Sequence, residues 1–292
     1  MSDGNPARYV IVSPVRDEAE NIEATIESVI GQTLLPAEWI IVNDGSSDRT
    51  GEIVERAIAD YPWIHVVHQP DRGYRAAGSG VMEAFYAGYE SITRTDWDFL
   101  VKLDGDLHFE SDYFEHCLKN FDAEPGLGIG GGVIYNMING VEVLERHPRF
   151  HVRGATKIYR RECWEAIGGL VKQPGWDTLD EVHAHELGWV TRSFYDNRLV
   201  QLRYTGDAAG QWKNWVKNGR ACYVVGYHPL FILARAFMRL FKRPFLVASV
   251  GILWGFVHAA MTGAEKIAPP NVVRYLREQQ LRRLVGMSSI WK

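Results

Sequence analysis

The chain has 292 residues and a formal net charge of −4, so it is long enough for one or two domains and lacks the positive charge of a general nucleic-acid binder. Three widely spaced cysteines, Cys117, Cys163 and Cys222, argue against a disulfide framework or a zinc cluster and fit a reducing compartment. The first residues show no basic region followed by an apolar run, so no secretory signal is expected.

Strand and helix patterns alternate along the first hundred residues. Runs of β-branched and apolar residues predict strands, and amphipathic spacing predicts helices. The strands are predicted at 9–15, 39–42, 64–68 and 98–103, and the helices at 19–30, 50–59 and 72–90. Because the connections are short, this alternation predicts a parallel sheet with helices on both faces. Ligands bind beyond the carboxyl ends of the strands in such sheets.

Polar and acidic side chains follow three of the four predicted strands. They are Arg16, Asp17 and Glu18 after the first strand, Asn43, Asp44 and Asp48 after the second, and Asp104 and Asp106 after the fourth. Each loop alone is typical of a helix-capping turn, and Ser47 or Asp48 is expected to cap the next helix. Three acidic strand ends on one rim favour a ligand site. Neither a glycine-rich dinucleotide fingerprint nor a P-loop follows the first strand.

Two aspartates separated by one glycine end the fourth strand, in the stretch FLVKLDGDLHF. An extended backbone would direct Asp104 and Asp106 to the same side, where their like charges repel each other. A divalent cation removes that repulsion, and Mg²⁺ or Mn²⁺ typically takes one or two carboxylates plus substrate phosphates. Gly105 would let the backbone bend and a bulky ligand approach. The stretch predicts a metal–diphosphate site, with a solvated turn as the alternative.

Six segments, in order, resemble the family-two glycosyltransferases with a GT-A fold. They are SPVRDEAENI, VNDGSSDRT, DRGYRAAGSG, KLDGD, GATKIYRRECWEAIGG and GWDTLDEVHAHELGWVTR, and they cover about residues 8–205. Their combination is specific for the family, and no single segment is. The bacterial members that assemble exopolysaccharides or glycolipids are the expected kin. The resemblance implies an α/β fold with a Rossmann-like, mixed and mainly parallel sheet flanked by helices.

The resemblance also implies a nucleotide-sugar site at the strand ends. Asp17 and Asp44 would contact the base and ribose, Asp104 the ribose or metal, and Asp106 the Mn²⁺ or Mg²⁺ ion that bridges the diphosphate. Arg72 and Arg75 would meet the donor phosphates, unless they are simply solvated. The complete set of expected donor-binding residues is Pro14, Arg16, Asp17, Asp44, Arg72, Arg75, Lys102, Asp104, Gly105 and Asp106, and Asp104 and Asp106 are also the expected metal ligands.

Sugar transfer to an alcohol also requires a base for the acceptor proton. The stretch GWDTLDE supplies Asp177, Asp180 and Glu181 just before a predicted helix. An acidic pair carries the base here in the family, and this chain departs from the usual Glu-Asp pair. A gapless match to the downstream Gly188-Trp189 favours Asp177, whereas a match of the acidic pair favours Asp180 and Glu181. Asp180 and Asp177 are nearly equal candidates, Glu181 is third, and at least one is expected to cap the helix.

The stretch GQWKNWVKNGR at 210–220 is basic and aromatic. Trp212 and Trp215 are candidates for stacking on sugar faces, and Lys213 for contacting an acceptor phosphate; with Trp176 they form the expected acceptor-binding set. An amphipathic surface segment is an equally good interpretation. Processive family members carry Q-x-x-R-W near this point. Here Asn214 stands in place of the arginine, which favours the addition of one sugar.

The composition changes after about residue 220. This predicts a glycosyltransferase domain at 1–220, with a nucleotide-sugar half at 1–110 and an acceptor half at 111–220, and a helical membrane-associating region at 221–292. Residues 245–261 carry no charged side chain, which puts them at the lower edge of a membrane span. Basic residues flank this run on both sides, and the positive-inside rule requires both flanks to be cytoplasmic. An interfacial helix or a hairpin on the cytoplasmic leaflet satisfies it, with a buried core helix as the alternative.

Together these features predict a metal-dependent hexosyltransferase, and the resemblance implies that transfer inverts the anomeric centre. It would move a sugar from a nucleotide-diphosphate donor to a saccharide acceptor, which is expected to be lipid-linked, in polysaccharide or glycolipid synthesis at the cytoplasmic face of a membrane. A polyprenyl-phosphate glycosyltransferase is the enzymatic alternative. A non-catalytic, membrane-associated scaffold with the same fold is the alternative of another class, and the retention of Asp104, Asp106 and GWDTLDE argues against it.

Overall fold

The computed structural model describes residues 7–71, 73, 79–138, 140–203, 210–240 and 246–291. The strands are β1 Tyr9–Val15, β2 Glu38–Asp44, β3 Ile64–Gln69, β4 Phe99–Leu103, β5 Leu107–Phe109, β6 Leu127–Ile138, β7 Val141–Leu144, β8 Thr156–Arg160 and β9 Val190–Gln201. The helices are α1 Ile22–Ile30, α2 Thr50–Ile58, α3 Ser79–Glu90, α4 Tyr113–Ala123, α5 Arg161–Ile167, α6 Trp176–Glu186, α7 Gln211–Val225, α8 Pro229–Arg239, α9 Val247–Met261 and α10 Pro270–Leu284.

The nine strands found among the described residues form one mixed sheet, in the order β3-β2-β1-β4-β8-β6-β9-β5, with β7 paired to β6. The four strands predicted from the sequence are parallel neighbours. Strand β8 is antiparallel to both β4 and β6, so β6 runs in the same direction as β4, and β9 is parallel to β6. The predicted mixed sheet flanked by helices is confirmed.

The two faces of the sheet are covered by different helices because strand residues alternate between them. In β1, Tyr9 and Ile11 join the apolar core under α1, α2 and α4, whereas Val10 and Val12 join the core under α3, α5 and α6. Every residue of β2 and β4 is buried, as expected for strands covered on both sides. This arrangement fixes the carboxyl ends of β1, β2 and β4 along one rim.

A third apolar core joins helix α6 to the four C-terminal helices. Leu179 and Val182 of α6 pack with Val225 of α7, Ile252 of α9 and Leu276 of α10 in this core. The division at residue 220 stays a prediction, and residues from both sides of it share this core. Among the described residues, no helix has both the length and the apolarity that a membrane crossing requires.

Helices α7 and α9 approach each other backbone to backbone. A Cβ added to Gly255 of α9 would lie 2.0 Å from the carbonyl oxygen of Val216, and one added to Gly219 of α7 would lie 2.1 Å from that of Ile252. Small residues permit such close packing of helices. Helix α9 therefore buries one face against α7, while Leu246, Val250, Trp254, Val257 and Met261 are exposed.

Candidate functional site

The loops after β1 and β2 are tied together at the rim of the sheet. Arg16 donates through Nη1 to the carbonyl oxygen of Asp44 (3.0 Å) and pairs through Nη2 with Asp71 Oδ1 (2.7 Å). Asp17 has a φ of 52°, and its Oδ1 accepts from the backbone N–H of Ser47 (2.8 Å). The structure thus brings together the predicted donor residues Arg16, Asp17 and Asp44.

Helix α2 begins at Thr50, and its N-terminal flanking residue is Arg49, which makes no side-chain cap, so the prediction that Ser47 or Asp48 caps this helix is wrong. Asp48 lies one residue before Arg49 and still binds the start of the helix. Its Oδ1 accepts from the backbone N–H of Thr50 at 2.9 Å, and its Oδ2 accepts from the N–H of Ala19 at 3.1 Å. These hydrogen bonds lower the pKa of Asp48, although burial opposes them. Asp48 is therefore a structural residue that links the first two loops.

Two residues complete this rim, Gln201 at the end of β9 and Arg203 just after it, and the sequence did not single them out. Arg203 pairs with Glu18 and donates to the backbone oxygen of Asp17 at 2.8 Å. Gln201 lies opposite Leu107 in the β5–β9 pairing, and its Nε2 donates to Asp106 Oδ2 at 3.0 Å. Gln201 is 95 residues along the chain from its partner, and Arg203 is 185 and 186 residues from its two partners. A local sequence motif does not indicate contacts over such separations.

Asp104 and Asp106 occupy a bend between β4 and β5, so the predicted extended geometry is wrong at this point. The bend still places the carboxylates close enough to interact. Burial, followed by the charge of Asp104, raises the pKa of Asp106 to about 7. Lys102, at the end of β4, contacts Asp104 Oδ1. The Lys102 ammonium also lies 5.7 Å from the ring centre of Trp176.

The Asp106 carboxylate fits a cation. Its Oδ1 is buried and has no hydrogen-bond partner among the described residues, whereas Oδ2 is held by Gln201. An unpartnered, buried carboxylate oxygen is costly unless a cation or a proton compensates it. Oxygen ligands of this kind are those that Mg²⁺ and Mn²⁺ prefer. The residues present therefore suit the predicted metal, with Asp106 Oδ1 as the available ligand.

Gly105 is needed for packing in this bend. A Cβ at this position would lie 2.6 Å from Cγ1 of Val15 and 3.1 Å from Cδ1 of Ile22. Any other residue would push the bend away from β1 and α1. Pro14, another predicted donor residue, is partly exposed near the end of β1 and lies opposite Val42. Arg72 and Arg75, the predicted phosphate contacts, lie outside the described residues.

The three acidic candidates of GWDTLDE lie within helix α6, which begins at Trp176. The sequence placed them just before a helix. The helix starts earlier because Gly175 adopts a φ of 100° and ends the preceding loop. None of the three caps it, because the N-terminal flanking residue is Gly175 and makes no side-chain cap. Their positions along α6 give each carboxylate a different environment.

Asp180 and Glu181 belong to a buried cluster of ion pairs. Lys157 Nζ lies 2.8 Å from Asp180 Oδ2 and 2.9 Å from Glu181 Oε1, and all three side chains are essentially inaccessible. The Tyr159 hydroxyl donates to Asp180 Oδ2 at 2.7 Å, and His151 Nδ1 lies 2.8 Å from Glu181 Oε2. Burial raises the pKa of Asp180 to about 6. Neither residue is among those that line the cavities beside helix α6.

Asp177 is the partly exposed member of the three. It lines a cavity of about 360 Å³ with Trp176, His151 and Arg153, and no ion pair to its carboxylate occurs within the described part of the chain. Burial opposes its ionisation, but the charges of His151, Lys157 and Arg153 outweigh that effect and hold its pKa below the usual value. Asp177 is thus an ionised carboxylate open to a cavity.

Of the predicted acceptor-binding residues, two line cavities and two are exposed at the start of α7. Trp176 lines the Asp177 cavity, with the ammonium groups of Lys102 and Lys157 5.7 and 5.5 Å from its ring centre. Trp215 lines an adjoining cavity. Trp212 and Lys213 are exposed in the first turn of α7 and line neither of these cavities.

Sequence comparisons connect this arrangement to known proteins. A family model described as glycosyl transferase family 2 matches residues 10–172. Poly-beta-1,6-N-acetyl-D-glucosamine synthase of Staphylococcus aureus (strain COL) is 32% identical over 223 residues, covering 73% of this chain and 46% of that protein. Chondroitin synthase of Pasteurella multocida (strain Pm70) is 29% identical over 124 residues, covering 41% of this chain and 12% of that protein. The chain spans less than half the length of each relative.

Solved structures share the fold. A mannosyltransferase from Pyrobaculum calidifontis, in complex with GDP-Man and Mn²⁺, has a TM-score of 0.54 at 17% identity, covering 98% of this chain and 79% of that one. GalNAc-T7 with UDP, GalNAc and Mn²⁺ has a TM-score of 0.62 at 12% identity, covering 97% of this chain and 58% of that one. At these identities the likeness is one of fold.

Proposed function

This chain belongs to glycosyl transferase family 2, and from that premise we propose that it transfers a sugar from a nucleotide-diphosphate donor to a hydroxyl of a saccharide acceptor. The observation that carries the proposal is the contrast among the carboxylates of α6. Asp180 and Glu181 are locked in ion pairs, whereas Asp177 is ionised and opens into a cavity. That is the arrangement a general base requires.

The donor would bind at the carboxyl ends of β1, β2 and β4. Asp17 and Asp44 would contact the nucleoside, with Arg16 holding their two loops together. Asp106, with Asp104 beside it, would hold a Mn²⁺ or Mg²⁺ ion through its unpartnered oxygen. The ion would supply neutralisation of the charge that develops on the departing diphosphate. Gln201 orients Asp106 by fixing the other carboxylate oxygen.

The transfer would be a single displacement with inversion at the anomeric carbon. Asp177 would accept the proton of the acceptor hydroxyl while the hydroxyl oxygen forms the new glycosidic bond. The bond from the anomeric carbon to the diphosphate oxygen would break at the same time, and its electron pair would leave with the nucleoside diphosphate. The depressed pKa of Asp177 keeps the carboxylate ionised at neutral pH, and it also makes the carboxylate a weaker base than one whose pKa lies near that pH.

The experiment that tests the proposal is a calorimetric screen of UDP-, GDP- and dTDP-sugars, each with Mn²⁺ and with EDTA, followed by a turnover assay with the donor that binds. Binding of one nucleotide that disappears with EDTA is expected, and Asp106→Asn should abolish the metal-dependent part. Binding that persists in EDTA would contradict the metal assignment. A lack of both binding and turnover would favour a non-catalytic scaffold.

We also propose that the C-terminal helices bring the enzyme to an anionic lipid surface on the cytoplasmic side. Helix α9 exposes Val250, Trp254 and Val257 on one side, and α8 exposes Leu230 and Leu233. The α7 helix packed against α9 carries the exposed cations Lys213, Lys217 and Arg220. Apolar side chains flanked by cations suit an anionic interface. This placement would suit a lipid-linked acceptor. A polyprenyl phosphate that itself accepted the sugar is already anionic and would depend less on Asp177 as a base.

A further inference from the structure

A second cavity, of about 800 Å³, adjoins the Asp177 cavity. The two share the lining residues His151, Arg153, Thr178, Asn218, Tyr227 and Arg235. The larger cavity lies among helices α7 and α8, the segment after β7 and the C-terminal residues. Its charge is one-sided, because its lining includes five arginines and a single carboxylate, that of Glu145. The arginines are Arg146, Arg153, Arg235, Arg239 and Arg283.

Most of this positive charge has no carboxylate partner among the described residues. Glu145 pairs with Arg153, whose Nε lies 3.2 Å from its Oε1. Arg235 and Arg239 form no ion pair with any carboxylate in the described part of the chain. They lie four residues apart on α8, a spacing at which like charges destabilise a helix. Burial and then the charge of Arg235 lower the pKa of Arg239.

The two arginines are nevertheless held in place. The Arg239 guanidinium lies 4.4 Å from the ring centre of Trp215, and Arg235 Nη1 contacts Cys222 Sγ at 3.6 Å. Trp291 lines the same cavity, and its indole Nε1 is buried without a hydrogen-bond acceptor among the described residues. One cavity is thus lined by two guanidinium groups without a carboxylate partner and by an N–H without an acceptor, and an anion that accepts hydrogen bonds suits such a lining.

We propose that this arginine-lined cavity binds a phosphate or diphosphate group of the acceptor, with Arg235 and Arg239 as its principal ligands. The guanidinium fork matches phosphate oxygens in pairs. Because Arg235 lines both cavities, an anion held there would anchor an acceptor whose hydroxyl reaches Asp177. The donor diphosphate is a different group, since Asp104 and Asp106 line neither cavity. The inference rests on the proposed glycosyl transfer, because it assigns part of the same site.

The cavity also has an apolar edge. Met238 and Leu284 are among its lining residues, and both are exposed. Leu233 and Phe237, which lie four residues apart on α8, are also exposed. A lipid chain attached to the bound phosphate would find an apolar path there, whereas a soluble phosphate would not use it. The same cavity therefore suits two sources of phosphate, and the two are separable by experiment.

The test is calorimetric titration with farnesyl diphosphate, inorganic pyrophosphate and farnesol, all in EDTA so that the donor site lacks its metal. The wild-type protein should bind farnesyl diphosphate, and Arg235→Gln/Arg239→Gln should weaken that binding at least about tenfold, as expected for loss of charge-assisted hydrogen bonds. Arg274→Gln, an exposed arginine of α10 outside the cavity, is the matched control and should bind as the wild type does. Circular dichroism and thermal unfolding check that each variant is folded.

Three results would overturn the inference: no binding of either diphosphate to the wild type, equal binding of farnesol, or unchanged affinity in the folded double variant. If pyrophosphate binds as tightly as farnesyl diphosphate, the site takes soluble phosphates; if only farnesyl diphosphate binds, it takes a lipid-linked one, and both results support it. Nucleotide binding with Mn²⁺ is measured on the same proteins. If the double variant retains both nucleotide binding and diphosphate binding, only the inference about this cavity is refuted. If the wild type does not bind a nucleotide, the proposed glycosyl transfer is refuted.

Discussion

Three acidic side chains within five positions of α6 have three different surroundings. Asp177 opens into a cavity, Asp180 accepts from Lys157 and Tyr159, and Glu181 accepts from His151 and from the backbone N–H of Val152. The sequence could name all three as candidates but could not rank them, because the partners come from β8 and the loop before it. Lys157 and Tyr159 are two residues apart in β8, so their side chains lie on the same face of the strand, toward α6. A predicted strand at this position would have shown that the two side chains share a face.

Asp177→Asn should abolish turnover without harming the fold. Removing a general base lowers kcat by roughly 10²–10⁴-fold, while the donor site at the strand ends is untouched. Steady-state kinetics and calorimetric nucleotide binding measure the two effects separately. A variant with near-normal kcat would exclude Asp177 as the base, and weakened nucleotide binding would show that the residue acts on the donor instead.

Asp180→Asn should instead lower the free energy of unfolding. It removes one of the two carboxylates that contact the buried Lys157, which keeps Glu181 as its partner, and the loss of such a charge-assisted hydrogen bond costs about 1.5–3 kcal/mol of unfolding free energy. Urea unfolding measures that loss. Asp122→Asn, at an exposed position of α4, is the control and should change the unfolding free energy little. If Asp180→Asn were as stable as the wild type but inactive, Asp180 rather than Asp177 would be the base.

His151 makes stability depend on pH. Burial disfavours its charged form, but the Glu181 carboxylate, with help from Asp177, outweighs burial and Lys157 and raises the His151 pKa above its usual value. A raised folded pKa stabilises the protein fully below the unfolded pKa of about 6.5, and that stabilisation is lost as the pH rises through the folded pKa. Urea unfolding of wild type and His151→Gln across pH 5–9 should show a difference that is largest at low pH and shrinks above about pH 6.5. A difference constant with pH would contradict a charged His151.

At the scale of elements, the sequence predicts the parallel half of the sheet well and leaves the other half undescribed. Strands β1 to β4 are short runs of buried β-branched residues with clear turns at their ends, and the predicted bounds agree within a few residues. Strand β6 contains the run Gly130-Gly131-Gly132, which local preference disfavours in strands. It forms because neighbouring chain segments fill the space: a Cβ at Gly131 would lie 2.5 Å from Thr156 O, and one at Gly132 would lie 2.4 Å from Asn197 O.

The contact between α7 and α9 has its own test. Gly255→Ala would place a methyl group 2.0 Å from the carbonyl oxygen of Val216. The helices would have to move apart, and such overpacking costs about 1–3 kcal/mol, more than the gain of up to about 1 kcal/mol that alanine brings to a helix. Thermal and urea unfolding measure the net loss. Gly126→Ala, where a Cβ meets open space, is the control; an equally stable Gly255→Ala would show that this helix contact yields easily.

For the whole molecule, the C-terminal helices have two surfaces with different chemistry. The inner surface of α8 and α10 packs on α6 and closes the cavities beside Asp177. The outer surface of α8 and α9 carries exposed apolar side chains, which a molecule of this size rarely leaves uncovered in one area. The sequence showed the apolar run and its basic flanks, but it could not show which side of each helix is buried, because that is decided by the packing of α7 on α9.

The outer surface should bind anionic vesicles. Val250→Ser/Trp254→Ser removes two exposed apolar side chains of α9 (50% and 53% exposed) without touching the face that packs on α7. Binding to phosphatidylglycerol–phosphatidylcholine vesicles, measured by co-sedimentation, should fall at least about tenfold, since each apolar side chain buried in an interface contributes roughly 1.5–3 kcal/mol. Leu35→Ser, equally exposed (47%) before β2, should not change it. Binding should weaken in high salt, because cations near the surface add attraction to anionic headgroups. If the double variant still binds vesicles, this surface is not the membrane-binding one. If the wild type forms concentration-dependent dimers and the double variant does not, the surface binds a second copy of the chain.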